Sequence, residues 1–96
     1  MYAIAFDMQI DLLRKNYGEP YNNAYYEISK QLKPFGFDGI QGSVYVTEQH
    51  DMANLFAAIN ALRALDWFRN SVRDIRAFKI EDWSDFTPYF RPEQLP

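Results

Sequence analysis

Asp7 is the first side chain in the sequence with chemistry to offer, because it ends an otherwise apolar run, Met1-Tyr-Ala-Ile-Ala-Phe-Asp7. A carboxylate in that position can accept a proton or ligate a hard divalent cation such as Mg²⁺ through oxygen. It can equally be a solvated strand-end group that caps the next turn. His50 is the only histidine, and imidazole exchanges protons near neutral pH, which makes it a candidate general base or plain loop surface. Ser43 follows Gly42; its hydroxyl can donate to a phosphate oxygen, although a Gly-Ser turn also favours serine on geometric grounds. Arg69, Arg73, Arg76 and Lys79 form the best local phosphate-binding patch. By strand alternation Arg73 and Lys79 share a face, while Arg76 lies on the other with Asp74, a natural ion-pair partner. Arg69, Arg73 and Lys79 are therefore the candidate phosphate contacts. Tyr45 is either a ring for stacking a nucleobase or part of a buried interface. Cutting RNA requires a base to activate the 2′-hydroxyl or water, a group that neutralises charge on phosphorus, and an acid for the leaving oxygen.

The elements that must position these groups are legible in the apolar spacing. Tyr2, Ile4 and Phe6 alternate with Ala3, Ala5 and Asp7, a strand period. Asp11 reads as the N-cap of a short turn through Leu12, Leu13 and Asn16 that Gly18 ends. Pro20 suits the first position of a helix whose stripe is Tyr21, Ala24, Tyr25, Ile28, Leu32 and Phe35, with Gly36 as its stop. Gly42-Ser43 fits a two-residue type II′ hairpin turn that sets Gln41 opposite Val44 and Ile40 opposite Tyr45; one long strand bulged at Gly42 is the competing reading. The hairpin faces would then hold Phe37, Val44 and Val46 on one side and Ile40, Tyr45 and Thr47 on the other. Asp51 reads as the N-cap of a second helix with a Met52, Leu55, Phe56, Ile59, Leu62, Leu65 stripe, closed by Trp67-Phe68. A last strand runs from Val72 to Glu81, with Val72, Phe78 and Ile80 on one face and Ile75 and Ala77 on the other.

Strand, helix, two strands, helix, strand predicts an α+β, ferredoxin-like split βαβ domain: an antiparallel sheet with two helices on one face. The other face is expected to be covered by a second copy, with Tyr45 on it. The 96 residues make one domain, and the aromatic residues, eight Phe, seven Tyr and two Trp, exceed what one small core hides. The tail, residues 82–96, carries Trp83, Phe86, Tyr89 and Phe90 and is expected to pack across that homodimer. Without cysteine, a disulfide scaffold and thiolate chemistry are excluded. No basic-then-apolar leader and no run near 20 apolar residues is present, so the expectation is a cytoplasmic protein with no membrane contact. The formal charge of −3 opposes indiscriminate high-affinity phosphate binding and leaves room for a local basic patch.

Several short pieces occur in an order that resembles the virulence-associated protein D (VapD) family. They are Met1-Tyr-Ala-Ile-Ala-Phe-Asp7, Tyr17-Gly18, Asn23-Ala-Tyr25, Gly36-Phe37, Gln41-Gly-Ser-Val-Tyr45, Ser71-Val-Arg-Asp-Ile-Arg76 and Ser84-Asp-Phe-Thr87. The family is similar in turn to the small CRISPR-associated adaptation nuclease, with its strand-end Asp and Gln-x-Ser-Val pattern. The resemblance runs from Met1 to about Thr87 and implies a dimeric ferredoxin-like endoribonuclease, often the toxin of a toxin–antitoxin pair. It implies that Asp7 lies near the dimer axis, where a Mg²⁺ ion can sit, and it matches Ser43 to the serine of the pattern. The expected catalytic set is Asp7, Ser43 and His50, the substrate single-stranded RNA, and the protein partner an antitoxin. The competing function is a non-catalytic dimeric module that binds nucleic acid or a protein.

Overall fold

A computed structural model describes residues 1–91. The four strands are β1 (Tyr2–Met8), β2 (Asp38–Gln41), β3 (Val44–Thr47) and β4 (Val72–Lys79), and they form one sheet in the order β2-β3-β1-β4. Every neighbouring pair is antiparallel, so the split βαβ arrangement read from the sequence is the observed one. The two long helices are α2 (Asn23–Leu32) and α3 (Met52–Arg63). Three short helices accompany them: α1 (Ile10–Asn16), α4 (Asp66–Arg69) and α5 (Thr87–Phe90). No helix among the described residues is long and apolar enough to cross a membrane.

The core lies between the sheet and the helices. Ile4, Phe6 and Met8 project from β1 into it and meet Leu13 of α1, Ala24, Ile28 and Leu32 of α2, Leu55, Ala58 and Leu62 of α3, and Phe68 of α4. Each large aliphatic side chain buried there contributes about 1.5–3 kcal/mol relative to exposure. The Phe6 ring stacks on Tyr45 at 6.1 Å between centroids and meets Phe68 edge-on at 5.6 Å.

Several local readings change. The N-cap of α1 is Gln9 rather than Asp11, and α2 begins at Asn23, three residues beyond Pro20. The α2 stripe and its stop hold, with Gly36 at φ 78°, a left-handed conformation that glycine takes without steric cost. Asp51 caps α3 as expected, accepting a hydrogen bond from the Ala53 N–H at 2.9 Å. The α3 stripe is rotated: Ala58 faces the core, while Met52 and Phe56 are exposed. The hairpin keeps Gln41 opposite Val44 but sets Gly39, not Ile40, opposite Tyr45. A Cβ at Gly39 would stand 3.2 Å from the Tyr45 ring and push it by a few tenths of an ångström; Ile40 is the irregular residue of the register. Gly42 does not take a positive φ, so the turn is not type II′.

Tyr45 is the main correction. It is 5% exposed and belongs to the helix-side core, with Phe37 on the same side, rather than to the outer face. Alternation along β3 accordingly turns Val44 and Val46 outward. In the ladder Val46 pairs with Ala3, which pairs with Phe78, and Val44 pairs with Ala5, which pairs with Arg76. Ala3 and Val46 are nevertheless buried, and Val46 lines a groove with Trp83 of the tail. Residues 82–91 thus return to β2 of their own chain, while Phe86, Tyr89 and Phe90 stay exposed. The expected tail continues through residues 92–96, which lie outside the described residues.

Candidate functional site at the end of strand β1

Three segments converge where β1 ends. The register sets Asp7 directly opposite Asp74 and then shifts, so that Met8 faces Val72 and Arg73 is the extra residue of a bulge. A bulge re-aims side chains that simple alternation would send elsewhere. The Arg73 guanidinium reaches the Asp7 carboxylate at 3.5 Å, so Arg73 works on the face of Asp7, not on that of Lys79. The β2–β3 turn closes on the same place, since the Phe6 N–H donates to the Ser43 carbonyl at 3.0 Å. Asp7, Ser43 and Arg73 therefore lie at one end of the sheet, with Asp7 and Arg73 paired on its outer face. Asp74, read from the sequence only as a partner for Arg76, is the member that sequence spacing did not place beside Asp7. Its signal was the strand register, which pairing alone sets.

Buried Ser71 anchors the strand that delivers Arg73. Its hydroxyl donates to the Leu12 carbonyl at 3.2 Å, and the Gln9 N–H donates to its own carbonyl at 2.8 Å. The Asn16 amide adds a hydrogen bond to the Asn70 carbonyl at 3.2 Å and a longer one to the Ser71 hydroxyl at 3.4 Å. These bonds join α1 to the start of β4, and the T-shaped Tyr17–Trp67 pair, 4.9 Å between centroids, joins the helices on either side.

The charges at this end are balanced. Asp7 is paired with Arg73, and Asp74 with Arg76 at 3.0 Å. The Asp7 and Arg73 side chains are both about three-fifths exposed, 62% and 61%, so each is open to a ligand from solvent. Among the described residues no cluster of three or more His, Asp and Glu side chains could hold a metal ion. Mg²⁺ binds few protein carboxylates but still needs an open oxygen set, and each of the two carboxylates on this chain already faces a guanidinium. The donors of one chain do not fit a Mg²⁺ site, and a second copy's Asp7 would have to complete it.

The remaining expected residues lie elsewhere. His50 lies three residues past Thr47, the end of β3 that pairs with Tyr2. From Tyr2 to Asp7 the strand spans about 17 Å. Lys79 also pairs with Tyr2. Arg69 is on α4, where it donates to the Arg63 carbonyl and to Asp66 at 2.6 and 2.5 Å. Tyr45 is in the core. Only three of the seven expected site residues, Asp7, Ser43 and Arg73, share one place.

The sequence model described as CRISPR associated protein Cas2 matches residues 1–87. The chain is 61% identical over 87 residues to a protein named Endoribonuclease VapD from Dichelobacter nodosus, covering 91% of this chain and 94% of that one. It is 54% identical over 89 residues to Endoribonuclease VapD from Helicobacter pylori, covering 91% and 95%. A protein of that name from Haemophilus influenzae is 50% identical over 91 residues, covering 95% and 99%. With the ferredoxin-like sheet and the strand-end aspartate in place, these similarities have one meaning: the chain belongs to the VapD family, a relative of the CRISPR-associated Cas2 proteins.

Proposed function

We propose that this protein is an endoribonuclease that cleaves single-stranded RNA at the Asp7 end of the sheet. The carrying observation is the bulge that sets the Arg73 guanidinium 3.5 Å from the Asp7 carboxylate, beside the Ser43 turn, on an open face. A scissile phosphate arriving there exchanges the carboxylate for its own charge as the partner of Arg73, which stabilises the charge that builds on phosphorus. The released Asp7 carboxylate accepts the proton of the attacking hydroxyl as it bonds to phosphorus, and solvent water protonates the leaving ribose oxygen as its P–O bond breaks. The Ser43 hydroxyl donates to a non-bridging phosphate oxygen. His50, at the far end, takes no part within one chain. No step runs through a metal; a Mg²⁺ ion would need the Asp7 carboxylates of two copies.

A homodimer is part of the proposal, supported by the outward Val44, Ala5 and Phe78 on the face that carries Asp7, with the exposed Phe86, Tyr89 and Phe90 of the tail contacting the second copy. The resemblance to the family supports a toxin held in check by an antitoxin. Growth arrest on expression, reversed by a co-expressed partner, is the expected result for that role.

The deciding experiment is cleavage of a labelled single-stranded RNA by wild-type protein and Asp7→Ala, each with Mg²⁺ and with EDTA. Loss of at least a hundredfold in Asp7→Ala is expected. Loss with EDTA as well places Mg²⁺ between two copies. Full activity in Asp7→Ala overturns the site, and absence of cleavage by wild-type protein leaves a binding module.

A further inference from the structure

A second concave surface lies at the other end of the sheet. The tail leaves β4 and closes over the β2 edge, and between them runs a groove of about 580 Å³. Its apolar lining is Ile40, Val46 and Trp83, and the indole is 43% exposed. Its charged lining is Asp38, Glu48 and Asp85, with no lysine or arginine. The contrast with the Asp7 end is physical. There Asp7 and Asp74 each have an arginine partner, whereas Asp38, Glu48 and Asp85 have no ion-pair partner among the described residues. Hydrogen bonds from the Thr87 side chain and backbone hold the Asp85 carboxyl below the usual carboxylate range, so the groove is negative throughout the neutral range.

We propose that this groove is a docking site for a lysine- or arginine-bearing polypeptide segment of another protein. The occupant follows from charge complementarity and from the wall. Unpartnered carboxylates repel RNA and attract ammonium or guanidinium groups. An open indole face receives such a cation by cation–π attraction, and Ile40 and Val46 accept the aliphatic stem that a long basic side chain lays on apolar surface. A second copy of this chain fits less well, because it is itself acidic, at −3, and Arg73 and Arg76 are already matched at home. The proposal does not depend on the cleavage reading: the groove lies at the end of the sheet away from Asp7.

The test is fluorescence anisotropy of a labelled decapeptide of alternating Lys and Ala, titrated with the full chain at low salt. A Glu-Ala peptide and a single-stranded RNA of similar length are the comparison probes. Binding of the Lys-Ala peptide alone is expected. It should weaken about tenfold in Asp38→Asn/Glu48→Gln/Asp85→Asn, which keeps side-chain size, and several-fold in Trp83→Ala, while RNA cleavage stays within twofold of wild type. Equal peptide affinity for wild type and the triple variant overturns the proposal, as does tighter binding of the RNA probe at the groove. Loss of self-association in the triple variant, measured by sedimentation, would assign the groove to a second copy and overturn it too. Circular dichroism of both variants guards against misfolding, and Glu48→Gln alone, on an exposed loop residue, gives a milder variant that should weaken the peptide two- to threefold.

Discussion

At the scale of single residues, Arg73 separates charge chemistry from stability. Its pair with Asp7 is exposed on both sides, and exposed pairs contribute within about 1 kcal/mol. Arg73→Ala should therefore unfold in denaturant within about 0.5 kcal/mol of wild type, while single-turnover cleavage falls by about two orders of magnitude. Arg73→Lys should recover only part of that, since an ammonium keeps the charge but not the planar fork. His50→Ala is the matched control, expected to cleave within twofold of wild type because the imidazole is at the wrong end of β1. A hundredfold loss in His50→Ala would mean that a second copy brings it to the site.

At the scale of elements, the site depends on how α1 and β4 are joined. Ser71 is fully buried, and its hydroxyl bonds the Leu12 carbonyl. Ser71→Ala removes that bond and should cost about 1–2 kcal/mol in urea unfolding, with a larger loss of cleavage than of stability as the β4 bulge loosens. The β3 strand has its own signature in alkali. Burial pushes the Tyr45 phenol above the ordinary tyrosine value, so the native state keeps the proton that the unfolded chain gives up. The sign follows: stability from this group is complete below the unfolded value near 10 and is lost as pH climbs through the higher folded value. Tyr45→Phe should flatten the stability profile above pH 10 in thermal melts, at little cost at pH 7.

At the scale of the molecule, charge is sorted in space. The strand-end site is electrically balanced, while Asp38, Glu48 and Asp85 collect around the groove at the β2 edge. These three carboxylates of the acidic chain lie away from Asp7. The outer sheet face carries Val44 and Ala5 next to that site and exposed Phe78 further along β4, opposite Ala3. Phe78→Lys should leave the fold intact by circular dichroism and shift sedimentation from dimer to monomer, with cleavage falling in step. A Phe78→Lys variant that sediments unchanged would move the interface off this face.

The sequence by itself determined the elements and the fold class, because strand and helix periods and the Gly36 and Asp51 caps are local properties of the chain. It also singled out Asp7 and Ser43 through an ordered set of family motifs. Tertiary structure decided the rest. Strand alternation put Tyr45 outward and Arg73 with Lys79, and each was reversed by a register irregularity that depends on the partner strand: space at Gly39 for the Tyr45 ring, and the bulge opposite Asp7. A side chain's type is written in the chain, but which face it works on is settled only when two strands pair.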